Sequence, residues 1–444
     1  MTLLQETRDP ARPATHPLHA EFSRGSAPWA GVAVLLTLGV GLALTADTWQ
    51  GGWAETRGSL HSASVMLGGP LALAAGCWQG GRERRRRTED LGATASRGPL
   101  ARFLAAALPT AAWVVAGYAA TAGLALLATW PYATGDRPRL FSLPADAVFL
   151  AACTVAGHVV GRLVAWRLAA PLLGVCGYIG LGAPQYGDPG AVRHLVPSVS
   201  VLGDVPVWWQ PLATMVWVGG LGVTAVLAYA ARRRYTALLP LAASATAAAL
   251  LVHTGSGLWH DNPLDDRQVC DTSTTPDICV SARYEGLLPQ VRNALSGLTD
   301  RLEGVENLPV RFEDGPGEPR PDEAQLPMLV PLGPRNYVVR GRLTDPDRYA
   351  WEALMLMVHR ECDRTDARLA RTDDAVTHWL APSPAEQHFD ELMAKGSRAD
   401  RAELEALRKA RARLASMGDE ERRAWLSAYF AAAGDCDQEA VPTL

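Results

Sequence analysis

In the C-terminal half the sequence reads Met357-Val358-His359-Arg360-Glu361-Cys362-Asp363. His359 and Asp363 are four apart, one helical turn, so both could reach one cation from the same face. A zinc protease helix uses two histidines at this spacing, with a glutamate beside the first to activate water. Here Arg360 takes the glutamate's place and an aspartate replaces the second histidine. Hydrolysis as such helices perform it is therefore excluded. His359 and Asp363 remain candidates for a bare metal site, or for a zincin-like fold without its zinc. The plain alternative is an amphipathic helix with incidental polar residues. His253, His260 and Asp261 also cluster; they could bind a metal, but read better as an interfacial linker.

Other chemistry-bearing patterns are absent. The chain has no Gly-x-Ser-x-Gly elbow, no Cys-x-x-Cys pair and no phosphate-cradling loop ending in Lys-Ser or Lys-Thr. We expect no catalytic residues and no cofactor, so not an enzyme. Any ATPase would be a separate chain. No basic, aromatic-interleaved surface points to nucleic acid. The seven cysteines fall into two groups. Cys77, Cys153 and Cys176 lie in apolar runs. Cys270, Cys279, Cys362 and Cys436 lie in a polar setting, an even set that suits an oxidising compartment. We favour Cys270–Cys279 and Cys362–Cys436, although four cysteines allow three pairings.

Charge separates the elements that must carry these residues. Residues 1–255 carry 19 Lys+Arg against 12 Asp+Glu, and residues 256–444 carry 23 against 34. A basic apolar half followed by an acidic polar half reads as membrane, then water. We expect a cytoplasmic tail over 1–28, a transmembrane bundle over 29–253 and an extracytoplasmic domain over 254–444. Seven apolar runs are long enough to approach a bilayer's thickness. They are 29–45, 60–78, 103–130, 147–164, 168–182, 211–230 and 235–252, the fifth being short. The first has a long tail containing acids and prolines, which favours an uncleaved anchor over a signal peptide. With the N-terminus inside, 15 arginines flank the inner helix ends and 4 the outer ones. An odd span count then puts the C-terminal domain outside a plasma-membrane bundle.

Within the bundle charges are scarce, and no Asp or Glu is expected mid-span, which weighs against proton coupling. His158 and Arg162 share one helical face, as a gating pair or as a packed histidine with an interfacial arginine. Gly157 and Gly161 share a face too, and glycines crowd the fifth and sixth runs, so helices should approach closely and a homodimer is allowed.

The C-terminal domain reads as α+β, helix-dominant. After an irregular stretch over 253–281 we expect a helix over 282–303, with Leu287, Leu288, Val291, Leu295, Leu298 and Leu302 as its apolar stripe. Strands are expected at 309–313, 328–331 and 337–343. A long helix from Asp345, with Pro346 in its first turn, should run past Leu369. Helices over 384–394, 398–416 and 419–433 follow.

Asp277-Ile278-Cys279-Val280 followed by Arg283-Tyr284, and Glu421-Arg422-Arg423-Ala424-Trp425-Leu426, complete the motifs. In these the chain resembles membrane subunits (ABC-2-like) found with ABC transporter ATPases in actinobacteria, which carry an extracytoplasmic C-terminal domain of unknown role. Relatives often have His-Pro where Ser281-Ala282 stands here. The resemblance implies a permease-like subunit of an export or resistance system, partnered by a separate ATPase, and identifies no catalytic residue. The loop over 79–102, with Arg82, Arg84, Arg85, Arg86 and Arg87, is the candidate ATPase contact, although the same arginines also serve as the topology signal. The alternatives are a non-transporting membrane protein whose outer domain binds an envelope ligand or partner, and a membrane-anchored zinc hydrolase.

Overall fold

The computed structural model of the 444-residue chain describes residues 22, 25–86, 98–133, 135, 137–138, 140–186, 190–197, 204–315, 319–329, 337–359, 367–432 and 440–444. The chain divides into two compact units. The first comprises Met1–Ala46, Thr56–Trp130 and Pro138–His260, and the second Asp47–Glu55, Pro131–Arg137 and Asp261–Leu444.

The first unit is a helical bundle. Its helices are α1 (Ala27–Leu44), α2 (Trp53–Gly80), α3 (Pro99–Thr129), α4 (Leu143–Leu163), α5 (Ala169–Tyr186), α6 (Gln210–Ala230) and α7 (Leu238–Thr254). Six of these segments are long and apolar enough to cross a bilayer, and α5 contains a shorter apolar stretch, Ala169–Pro184. The bundle is arranged for hydrocarbon. Leu36, Val40 and Leu44 on α1, Leu124 and Leu127 on α3, and Val175 and Ile179 on α5 are exposed, while Thr121, Asp146, Thr154, His158 and Ser244 are buried. An apolar exterior this broad suits a lipid surround rather than water. The chain is a helix-dominant, multi-pass membrane protein.

Helices α2 and α4 make the most extensive contact in the bundle. Gly157 and Gly161 face α2 there, as their spacing predicts, and Gly76 and Gly80 answer them from α2. A Cβ on Gly157 would collide with the Leu73 carbonyl, and one on Gly76 with the Thr154 carbonyl. Helix backbones meet this closely only where side chains are absent, and in lipid such packing replaces the hydrophobic effect as the force between helices. Within α2, Ser64–Gly68 forms a π-helical turn just ahead of Gly69-Pro70. Pro70 has no N–H to donate four residues back, so a wider turn at that point leaves fewer broken bonds.

The C-terminal unit is built on a four-stranded sheet in the order β3-β4-β5-β6. Its strands are β3 (Gln268–Asp271), β4 (Asp277–Ser281), β5 (Arg311–Glu313) and β6 (Glu323–Gln325). A two-strand ladder in the bundle unit precedes it, β1 (Val205–Pro206) with β2 (Trp259–His260). Cys270 and Cys279 are register partners on antiparallel β3 and β4, and they form the favoured disulfide. Cys362 and Cys436 lie outside the described residues. Strand β4 returns in parallel to β5 through α8 (Leu288–Leu302), as a parallel pair requires a crossover. The expected stripe of α8 is correct at Val291, Leu295, Leu298 and Leu302, which pack with Ile278, Val280 and Phe312 in one core.

Four expectations need correction. The stretch before Ser281 is not irregular, since it holds β2, β3 and β4. Their polar, exposed edge residues hide the alternation that marks a half-buried strand. Of the strand expected at 328–331, residues 328–329 are not in a strand and 330–331 lie outside the described residues; the strand of this region is β6, which ends at Gln325, and Leu326 and Leu329 enter the core. The run 337–343 is a hairpin, β7 (Val338–Val339) and β8 (Arg342–Leu343), turned at Arg340-Gly341 with both residues at positive φ. Gly341 has a second reason to lack a side chain, because a Cβ there would strike the Tyr132 carbonyl. Finally, the long helix stops early. Helix α9 spans Pro346–Met357, capped by Asp345, and a separate α10 begins at Ala367. Helices α11 (Glu386–Lys395), α12 (Arg398–Ser416) and α13 (Asp419–Ala431) follow the sequence reading closely, with Ser397 and Asp400 forming a capping box for α12.

Gly157→Ala should destabilise the bundle by about 1–3 kcal/mol, the usual cost of overpacking a close contact. Gly180→Ala, with nothing near its Cβ position, should be silent. Thermal unfolding of the detergent-solubilised protein distinguishes the two.

Candidate functional site at the arginine-bearing end of the bundle

The described residues among those singled out at 82–86 and at 158 and 162 lie at one end of the bundle. Arg162, near the C-terminus of α4, donates through both Nη atoms to Glu83, at 2.5 and 2.7 Å. Glu83 sits in the short helix Arg82–Arg85 that follows α2. Arg84 Nη2 donates to the Arg162 carbonyl at 2.8 Å, and Arg85 donates to the Trp78 carbonyl while lying over that indole, 4.1 Å from its centre. Both carbonyls belong to last turns, where no backbone N–H follows to satisfy them and the helix dipole is negative. Arg84 and Arg85 therefore cap α4 and α2. Two of the five arginines of the expected contact patch thus bond helix-end carbonyls, Arg84 half-buried and Arg85 exposed. Arg86 is exposed, Arg82 is half-buried, and Arg87 lies outside the described residues.

His158 is about 1% exposed. Its ring meets Phe103 edge-on at 5.0 Å, and neither nitrogen has a hydrogen-bond partner among the described residues. It is a packed histidine, and Arg162, one turn on, is held by Glu83. Beside them lies a cavity of about 530 Å³, lined by Glu83, Arg84, Arg102, Phe103, Arg162 and Tyr229. Three guanidiniums against one carboxylate make it basic.

Sequence reasoning missed a polar cluster inside the bundle. Asp146, about 3% exposed, stands 2.6 Å from His61 Nδ1 and accepts a 2.8 Å hydrogen bond from the Tyr118 hydroxyl. Asp146 lies in the first turn of α4, just outside the apolar run read from the sequence, so it was not counted as intramembrane. The spacing of three residues on three helices carries no local signal.

The C-terminal unit holds the resemblance motifs, and their roles are structural. Residues 277–280 lie in β4, whose buried part is Ile278, Cys279, Val280 and Ser281. Arg283, next along, donates to Glu55, and the pair is about 2% exposed on both sides. Tyr284 donates to the same carboxylate oxygen at 3.0 Å, and Asp265 lies 3.5 Å from Arg283. Burial, with the Glu55 charge alongside, pushes the Tyr284 phenol well above its usual value. In the second motif Arg422 lies over Trp379 at 4.0 Å, and Leu426 is buried. The metal hypothesis loses its helix: His359 is exposed beyond the end of α9, and Asp363 lies outside the described residues.

No family model matches this chain, and neither a curated protein nor a solved structure matches it.

Two outcomes test this account. Glu55→Ala should cost about 3–5 kcal/mol, because it leaves Arg283 charged and buried, whereas Glu55→Ala with Arg283→Met should recover much of that loss in denaturant melts. Asp314 is buried, and this raises its carboxyl to about 7, against partial relief from the Ser281 and Leu329 backbone N–H groups. A raised folded pKa means the unfolded chain releases the proton first. Stability should therefore fall as pH rises from about 4 to about 7, by at most ~1.4 kcal/mol per pH unit, and level off above. Asp314→Asn should abolish that slope in melts taken across pH 5–8.

Proposed function

We propose that this chain is the membrane subunit of an ABC-type export or resistance system, with its ATPase on a separate chain that docks at the arginine-bearing end of the bundle. The observation that carries the reading is the Glu83–Arg162 clamp. It fixes the short helix after α2 against α4 and holds a basic cavity open beside it, a preorganised surface for an acidic partner. The sequence resemblance supports the same assignment.

Seven crossings, with the N-terminus inside, fit this function, and parity supports them. Asp47–Glu55, Pro131–Arg137 and Asp261–Leu444 belong to one folded unit, and a water-soluble unit lies on one side of a bilayer. Between 137 and 261 the chain runs through α4, α5, α6 and α7. Returning to the same side takes an even number of crossings, which supports a crossing by α5 alongside the other three. The Cys270–Cys279 disulfide favours the oxidising side for that unit. A second reading, in which the C-terminal unit binds an envelope ligand, draws on a cavity within that unit.

Affinity capture from gently solubilised native membranes, followed by mass spectrometry, tests the ATPase assignment. We expect a stoichiometric ABC ATPase, and a severalfold loss of it in Glu83→Ala and Arg162→Leu variants that retain normal yield and melting temperature. Repeated capture without an ATPase, under conditions that preserve a control ABC complex, overturns the proposal.

A further inference from the structure

The C-terminal unit contains a cavity of about 540 Å³ among α9, α10, α11 and α12, within the volume range of small-molecule sites. Its lining is of two chemical kinds. Trp351 and Met355 from α9 and Phe389 and Met393 from α11 are apolar. Asp373 and Asp374 from α10 and Glu386 and Asp390 from α11 are acidic. Arg411 from α12 is the one arginine or lysine among the lining residues. It is bidentate to Asp374 at 2.7 and 2.9 Å, and also reaches Glu386 at 2.9 Å and Asp390 at 3.3 Å. Arg408 approaches Asp390 at 3.4 Å. Among the described residues four carboxylates thus face two guanidiniums and the His378 imidazole, whose Nδ1 lies 2.8 Å from Glu386, so the acidic groups outnumber the basic ones.

The apolar lining is under-packed by the standards of this unit. Helix α11 has no buried residue. Six large apolar side chains of the C-terminal unit are exposed among the described residues, and four of them, Met355, Leu356, Phe389 and Leu392, lie on α9 and α11. Elsewhere the unit buries such groups in a continuous core. Exposed aromatic and methionine surface beside a concave wall marks a binding site in a soluble unit. Met and Phe adapt to varied apolar shapes, and the carboxylates select the charge.

We propose that this cavity binds an organic cation with an apolar body, its positive group held by Asp374, Glu386 and Asp390 and its apolar part laid on Phe389 and Met355. A positive ligand suits the excess of acidic groups, and an anion would meet net repulsion. The proposal rests on the ligand-binding reading of the C-terminal unit. It is independent of the ATPase assignment, since the two are tested by different measurements.

The test uses the full chain in lipid nanodiscs and the dicationic aromatic amide phenylalanyl-arginyl-β-naphthylamide. Its citrulline analogue has nearly the same shape but lacks the guanidinium. Equilibrium dialysis against empty nanodiscs corrects for partitioning into lipid. We expect saturable binding of the arginyl probe, at one site per chain and weakened by added salt. The citrulline analogue should bind severalfold more weakly. Phe389→Ala, which removes an exposed side chain, should weaken the arginyl probe by about tenfold. Asp390→Asn should reduce its preference over the analogue without lowering the melting temperature. Absence of a saturable component, or equal binding of the two probes, overturns the proposal. So does binding that neither Phe389→Ala nor Asp390→Asn changes while both variants stay folded.

Discussion

Glu55 and Arg283 bring opposite charges together where water is absent, and the C-terminal unit is organised around that fact. Moving either ion out of water costs several kcal/mol, which is returned only if the pair is complete and its remaining polar atoms are met. Here Arg283 has Asp265 as a second acceptor, and Tyr284 adds a donor to Glu55. Glu55 Oε2 has no hydrogen-bond partner among the described residues. A half-satisfied charge tolerates no alternative placement, so the pair specifies one arrangement of the segment 47–55 on the end of β4. It contributes definition of geometry more than net stability.

The bundle follows the opposite rule. Its charges are kept to helix ends or bonded to one another, and its shape comes from closeness of approach. Gly76, Gly80, Gly157 and Gly161 let α2 and α4 touch backbone to backbone. Arg84 and Arg85 then satisfy the last carbonyls that the crossing leaves bare. The arginine run therefore works at two scales. Its charge is of the kind that the positive-inside rule counts, and its individual guanidiniums finish two helices. Glu83, the one acid among those basic residues, locks α4 to the same turn.

What the sequence disclosed depended on how local the signal was. Apolar runs of about 20 residues report themselves, and so do an amphipathic stripe such as that of α8 and a capping pair such as Ser397 with Asp400. Each helix of the bundle is legible for that reason. Short strands such as β6, three residues long, carry too few positions for a period to show. The break after Met357 was hidden because the apolar spacing continues in sequence across the point where α9 ends. The Asp146–His61–Tyr118 cluster and the Glu55–Arg283 pair were illegible for a deeper reason. Their partners are 85, 28 and 228 residues apart, and no window joins them. The resemblance motif did mark Arg283 and Tyr284, but not what they hold.

That last separation bears on how the protein is made. Glu55 leaves the ribosome 228 residues before Arg283. At about 5–20 residues per second, translation leaves the carboxylate without its guanidinium for roughly 10–45 s. Throughout that interval it must stay hydrated, protonated or attended by another protein. The C-terminal unit cannot close its sequestered charge pair until α7 has been translated and Arg283 has emerged behind it. Nascent chains that stall before that point would carry an orphaned acid, a feature by which membrane quality control could tell an unfinished copy from a finished one.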